Sequence, residues 1–270
     1  MSAERVVDAL LEEWSAIDVL LSGATRAQWQ LPSPCPGWSV HDLASHIIGA
    51  EAAAAWEGSQ TASTRSALIA LAQPECPDSN DAWVRMLRTE RPREVLRRLR
   101  TVIPIRETQL RSLTGEQLAR QVPTPAGPRS YARYLQIRVF DCWMHEQDMR
   151  DALGRPGHDD GAPAELAVDE ITETIGYLVA KRAQVPDGTT VVFDLQGPVE
   201  RQIAVEVAGG RGRVVDPATG QATVTLQTRS NTLTRICGGR VTTEEAMRSV
   251  TIFGDRHLGT RIVGALPYTP

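Results

Sequence analysis

Hydrophobic residues keep a helical period through roughly the first 180 positions of this chain and then switch to the two-residue alternation of strands. A helix buries a stripe and a strand buries a face, so the switch restricts the fold to a helical part followed by a sheet-containing part. In the first stretch, about residues 3–22, Val6, Leu10, Trp14, Ile17 and Leu21 recur at steps of three and four, as on an amphipathic helix. LPSPCPGWSV (31–40) then holds three prolines and a glycine, a rigid connector leading into a helix start capped by Ser39 or Gly37.

A second helix is expected over about 39–57, ending near Gly58, and a short one near 65–72. The region 80–113 also reads as helical, with a break or kink at Pro92 and Pro104, because each proline removes a hydrogen bond and crowds the preceding turn. A fourth long helix spans about 130–153 and stops at Gly154 and Pro156, and a fifth lies near 161–183. Beyond it VVFDLQG, RQIAVEVAG, GRVVD and ATVTLQTR are short β-branched runs divided by turn residues, the signature of a sheet. Helical signals return in NTLTRICGG, TTEEAMRSV and GDRHLGTRIVGAL. The expected fold class is therefore α+β: a helical domain over residues 1–184, then a smaller mixed α/β domain over 185–270.

Composition narrows the possible roles. The 270 residues suffice for two cores, and 41% apolar with 23% charged residues is ordinary for a folded soluble protein. A net charge of -4 and a pI near 5.8 give no footprint for a phosphate backbone, so nucleic acid is not expected as a partner. No apolar run approaches the roughly 20 residues of a membrane span, and the acidic amphipathic start is unlike a signal peptide. The expected location is the cytoplasm. Cys35, Cys76, Cys142 and Cys237 are scattered without CxxC pairing and are expected to be reduced.

Histidine is scarce, and position on a helix sorts the five that occur: His41, His46, His145, His158 and His257. Advancing about 100° per residue puts His46 beside Ser39, Leu43 and Ala50 on the inward side, with His41 pointing elsewhere. On the fourth long helix Tyr134, Ile137, Asp141, His145 and Met149 form one stripe, and Asp141 and His145 stand one turn apart. That spacing suits either a helix-stabilising hydrogen bond or half of a metal site. With His46 opposite, it makes a two-histidine, one-carboxylate ligand set with open positions. Asp148 is placed to orient His145. Cys35 and Cys142 read as packed thiols, Trp38, Trp56 and Trp143 as core, and His158 and His257 as surface residues.

Two segments, PSPCPGWSVHDLASHIIGAE (32–51) and FDCWMHEQDMRDALGRPG (140–157), resemble the mycothiol-dependent maleylpyruvate isomerase family. The N-terminal domain of that family is a DinB-like metal-binding four-helix bundle. From about residue 188 onward, including ICGGR (236–240), the chain is similar in layout to the family's smaller C-terminal domain. The resemblance implies a divalent metal, zinc first among candidates, held by His46, Asp141 and His145. It implies mycothiol, the low-molecular-weight thiol of actinobacteria, as cosubstrate, with the metal-activated sulfur attacking a small electrophile in an isomerase or S-transferase reaction. Arg138, one turn before Asp141, is expected to pair with that carboxylate or bind an anionic substrate, and Arg240 to reach substrate from the C-terminal domain. The family has glutamate where this chain has Asp141, about 1.5 Å shorter in reach, so ligation calls for a shifted helix or a bridging water. A metal-binding sensory or regulatory module without catalysis is the alternative. The expected state is a monomer or homodimer.

Overall fold

Helix α1 (Ala3–Ser22) buries the stripe its sequence dictates, with Val6, Leu10, Trp14, Ile17 and Leu21 each no more than 3% exposed. These positions belong to a computed structural model that describes residues 3–59, 61–72, 80–124, 127–217 and 222–269; Cys76 lies outside them. After a 3-10 turn at Gln28–Gln30, the proline connector is closed by a bridge between Pro32 and Ser39, with Gly37 at a φ of 78° that favours glycine. Ser39 then caps helix α2 (Val40–Glu57) in a capping box. Its hydroxyl accepts from the Asp42 N–H, and its own N–H donates to the Asp42 carboxylate.

Helices α3 (Ala62–Ala72), α4 (Asn80–Leu87), α5 (Pro92–Arg111) and α6 (Gly115–Ala119) follow. A short hairpin of β1 (Gln121–Val122) and β2 (Arg129–Ser130) leads into α7 (Tyr131–Leu153), capped by Ser130 and ended by Gly154 in the left-handed conformation. Helices α1, α2, α5 and α7 close a bundle: α1 packs on α5 and α7, and α2 packs on the same two. Helix α4 covers a further side of α2, so every residue from Val40 to Ala52 is buried. The polar side chains in that run, His41, Asp42, Ser45, His46 and Glu51, must therefore find partners inside the protein.

The break expected at Pro92 is present, between the end of α4 at Leu87 and the start of α5, whereas Pro104 departs from expectation. Pro92 begins α5, where its missing N–H costs nothing, and Pro104 lies inside the same helix without ending it. Pro104 is exposed, so water can solvate the carbonyl it leaves unbonded.

The chain groups into two compact units, Met1–Pro156 and Gly157–Pro270. Helix α8 (Gly161–Tyr177), expected with the first domain, belongs to the second. There its Gly176 meets Gly212 so closely that a Cβ on Gly176 would lie 2.5 Å from the Gly212 carbonyl oxygen. A π-turn (Leu178–Arg182) follows, then β3 (Thr190–Gln196), β4 (Arg201–Ala208), β5 (Arg211–Val215), β6 (Val224–Arg229), α9 (Ser230–Cys237), α10 (Thr243–Ser249), β7 (Thr251–Gly254) and α11 (Arg256–Ala265). The described strands form a sheet of order β5-β4-β3-β6-β7, parallel between β3 and β6 and antiparallel elsewhere. Val191, Phe193 and Leu195 alternate inward on β3, as do Val224, Leu226 and Thr228 on β6. Strand β7 and the β1–β2 hairpin escaped the sequence pattern because they are short and largely exposed, leaving no alternation to read. Among the described residues no helix is long and apolar enough to cross a membrane.

Gly49 sets the spacing between α2 and α4, because a Cβ there would lie 2.5 Å from Trp83 Cγ. In an open helix Gly→Ala would stabilise by about 1 kcal/mol. Here Gly49→Ala is expected to destabilise by about 1–3 kcal/mol through overpacking, read as a lowered midpoint in denaturant.

Candidate metal centre

Capping by Ser39 fixes the start of α2 and thereby directs His46 into the bundle, where α7 presents Asp141 and His145 one turn apart. His46 Nε2 lies 3.2 Å from Asp141 Oδ2, and His145 Nε2 lies 3.6 Å from Asp141 Oδ1. One ligand atom from each of the three residues falls within 4.8 Å of the other two. Both histidines are 7% exposed, whereas the Asp141 side chain is 29% exposed, which gives the cluster one open side. Aspartate, though a methylene shorter than glutamate, still reaches both imidazoles.

The surrounding groups hold these three in place. Arg138 Nη1 donates to Asp141 Oδ2 at 2.6 Å, while its Nε and Nη2 donate to Glu51 Oε1 at 3.0 and 2.9 Å. Glu51 Oε2 in turn accepts from Arg106 Nε at 3.0 Å, and Arg106 Nη2 donates to the Tyr131 hydroxyl at 3.2 Å. Of its two expected roles, Arg138 thus takes the first: its guanidinium is turned to Asp141 and Glu51. Asp148 Oδ2 lies 3.3 Å from His145 Nδ1, which assigns the proton to Nδ1 and leaves the Nε2 lone pair facing Asp141 and His46. His46 Nδ1 is buried without a hydrogen-bond partner among the described residues.

Charge states follow from these surroundings. Burial disfavours the Asp141 carboxylate, but the charge of Arg138, aided by the two imidazoles, outweighs it and holds the group well below the usual carboxylate range. Burial lowers His46 against the opposing pull of Asp141, and it lowers His41 against the Glu90 carbonyl, which lies 3.2 Å from His41 Nε2. Burial likewise pushes the Cys142 thiol well above its ordinary value, as befits a fully enclosed side chain.

Other predicted residues divide clearly. Trp38 is half-buried, its ring centroid 5.0 Å from that of His46 and 5.7 Å from that of His145, so it walls the cluster; Trp143 is core and Trp56 is 38% exposed. Cys35 is buried and offers its sulfur to a second grouping with His145 and Asp148. His257 is exposed and His158 half-buried with φ at 56°. Arg240 follows α9 in the second unit, and its Nη1 donates to the Gly238 carbonyl at 2.5 Å. Sequence reasoning missed Glu51, Arg106 and the Cys35 grouping. The one available signal was acidic Glu51 in an otherwise apolar helical run, a position that demands a cationic partner.

Two measurements probe this network. Glu51→Ala strands two buried arginines and is expected to cost about 3–5 kcal/mol in chemical denaturation, far more than an exposed Glu94→Ala control. For pH, the unfolded chain takes up protons at His41 and His46 near their ordinary value of about 6.5, whereas the folded metal-free chain resists them. Stability therefore falls as pH drops through that region, and His41→Gln shows a smaller drop in melting temperature between pH 7.5 and 5.5.

Comparison with known proteins places these features in context. The family profile of the mycothiol maleylpyruvate isomerase N-terminal domain matches residues 10–150, and that of the MDMPI C-terminal domain matches residues 165–261. Among solved structures, the crystal structure of the mycothiol-dependent maleylpyruvate isomerase superposes with a TM-score of 0.61 at 16% identity over 93% of each chain. A histidine-to-alanine mutant of that isomerase gives 0.62 at the same identity and coverage. At such identity the likeness is one of fold. No curated protein sequence matches. Because the two domain profiles match in order across both compact units, the chain belongs to the mycothiol maleylpyruvate isomerase family, a family named for an enzyme.

Proposed function

We propose that the protein is a metal-dependent enzyme that uses a low-molecular-weight thiol, mycothiol by family membership, either to isomerise a small electrophile or to join the thiol sulfur to it in a released adduct. The observation that carries this reading is the convergence of His46, Asp141 and His145, with ligand atoms mutually within 4.8 Å and one side open. Two imidazoles and a carboxylate are the donor set of catalytic zinc and its neighbours, which keep positions for water or substrate. Formal charges favour a cation as well: Glu51, Asp141 and Asp148 outnumber Arg106 and Arg138 by three to two. Bound there, a divalent ion supplies the Lewis acidity that keeps a thiol as thiolate near neutral pH.

The chain's own residues prepare that site. Burial keeps His46 neutral and so able to ligate, Asp148 sets the His145 tautomer, and Arg138 maintains Asp141 as a carboxylate while leaving Oδ1 toward His145. Trp38 covers one side of both imidazoles and limits water access. The electrophile belongs to the class of activated cis-alkenes or epoxides. In an isomerase the thiol adds to the double bond, the resulting single bond rotates and the thiol leaves again; in a transferase the adduct is released.

Metal analysis and thiol consumption test the proposal. The purified protein is expected to hold about one divalent ion per chain, and a His46→Ala, His145→Ala double variant close to none. Unchanged metal content in that variant would sink the assignment. Mycothiol is expected to be consumed or to turn over with maleylpyruvate, other activated alkenes or epoxides; metal binding without any such reaction would identify a binding module instead.

A further inference from the structure

Cys35 takes no part in the chemistry above, yet the fold fixes it beside a residue that does. Ser33 Oγ accepts from the Cys35 N–H at 3.2 Å and donates to the Trp38 carbonyl at 2.8 Å, and the Trp38 N–H donates to the Cys35 carbonyl at 3.1 Å. Pro34 and Pro36 stiffen the same turn from either side. A thiol carried on so rigid a turn loses little freedom when it ligates.

Opposite this turn, α7 presents His145 and Asp148, with Asp148 Oδ2 3.3 Å from His145 Nδ1. A ligand atom from each of Cys35, His145 and Asp148 falls within 4.8 Å of the other two, and all three residues are buried. Ligand atoms around a tetrahedral zinc ion stand about 3.3–3.8 Å apart, given metal–ligand bonds of about 2.0–2.3 Å, so a small contraction completes the set. This donor set differs in kind from the first. His46, Asp141 and His145 offer only nitrogen and oxygen, whereas a thiolate is a soft donor that favours zinc, cadmium or copper(I) over magnesium, calcium or manganese.

Both sets need His145, and a neutral imidazole has a single lone pair for a metal. With the proton on Nδ1, the Nε2 lone pair serves His46 and Asp141. With the proton on Nε2, the Nδ1 lone pair serves Cys35 and Asp148, and Nε2 still has Asp141 Oδ1 before it at 3.6 Å.

We propose that Cys35, His145 and Asp148 form a second, thiophilic cation site that fills only at the expense of the first. Binding releases the Cys35 thiol proton to solvent and moves the His145 proton from Nδ1 to Nε2, which takes His145 away from His46 and Asp141. A soft ion held there switches off the metal centre proposed above, with which the second site shares His145 but not its enzymatic reading.

Cadmium titration of the full-length protein, first stripped of metal, reads sulfur ligation as charge-transfer absorption in the ultraviolet. The band is expected to saturate at about one ion per chain, to persist in His46→Ala and in Cys76→Ser, and to vanish in Cys35→Ser. Asp148→Asn is expected to weaken cadmium about tenfold. Far-ultraviolet circular dichroism checks the fold of Cys35→Ser, and X-ray absorption of the cadmium-loaded Cys76→Ser protein, expected to show one sulfur ligand, decides the matter should Cys35→Ser not fold. Added to zinc-loaded protein, cadmium is expected to raise the same band as about one zinc ion leaves for each cadmium bound. A chain that holds both ions together overturns the exclusion and with it the proposal, as does a band that survives in folded Cys35→Ser. If thiol is consumed by the zinc-loaded protein but no Cys35-dependent band forms, the second site is refuted while the proposed function stands. If the band forms as expected but no thiol is consumed with any electrophile, the enzymatic reading fails and the second site stands.

Discussion

The buried ion network centred on Glu51 is the constraint on which the site depends. Glu51, on α2, is fully enclosed and accepts from Arg106 of α5 and Arg138 of α7, so one carboxylate ties three of the four bundle helices together. Separating any partner leaves an uncompensated charge in the interior, which is far costlier than losing an exposed pair. The helices that carry His46 and Asp141 are thereby held in one register. Arg138 extends the same network to Asp141, so the group that organises the bundle also sets the charge of the weakest candidate ligand.

Such a network is a consequence of how α2 is packed. A helix enclosed from Val40 to Ala52 has no solvent side on which to place polar groups, and each one it carries must be matched by a neighbour. His41 is matched by the Glu90 carbonyl and Ser45, Asp42 by Ser39 and Arg88, and Glu51 by its two arginines. His46 is matched at Nε2 by Asp141, while its Nδ1 has no partner among the described residues. The polar groups of α2 thus face three places: the ligand cluster, the ion network, and the chain around Arg88 and Glu90. Close packing of Gly49 against Trp83 lets α4 seal the remaining side.

In the second unit the cover of the sheet combines a close backbone approach with the buried apolar face of α8 and an ion pair between Arg201 of β4 and Asp169 of α8. The Gly176–Gly212 approach brings α8 onto β5, and the strand order places β3, with Val191, Phe193 and Leu195 buried, at the centre of the sheet. That contact explains why α8 belongs with the sheet although its helical period continues that of the first unit.

The sequence by itself determined what depends on near neighbours: the helical stripes of α1 and α7, the caps at Ser39 and Gly154, the alternation in β3 and β6, and the stripe holding Asp141 and His145. These rest on contacts three or four residues apart along a helix or two apart along a strand, and a chain cannot hide such spacing. Only the tertiary structure decided which helices face one another. His46 meets Asp141 across 95 positions and Arg138 meets Glu51 across 87, and no local period records a partner so distant. The same holds for Trp38 lying against both histidines, for Cys35 grouping with His145 and Asp148, and for the short strand β7, whose existence depends on β6 beside it. Pairing between distant segments is set by the complementarity of whole buried surfaces, and that complementarity exists only once the helices have packed.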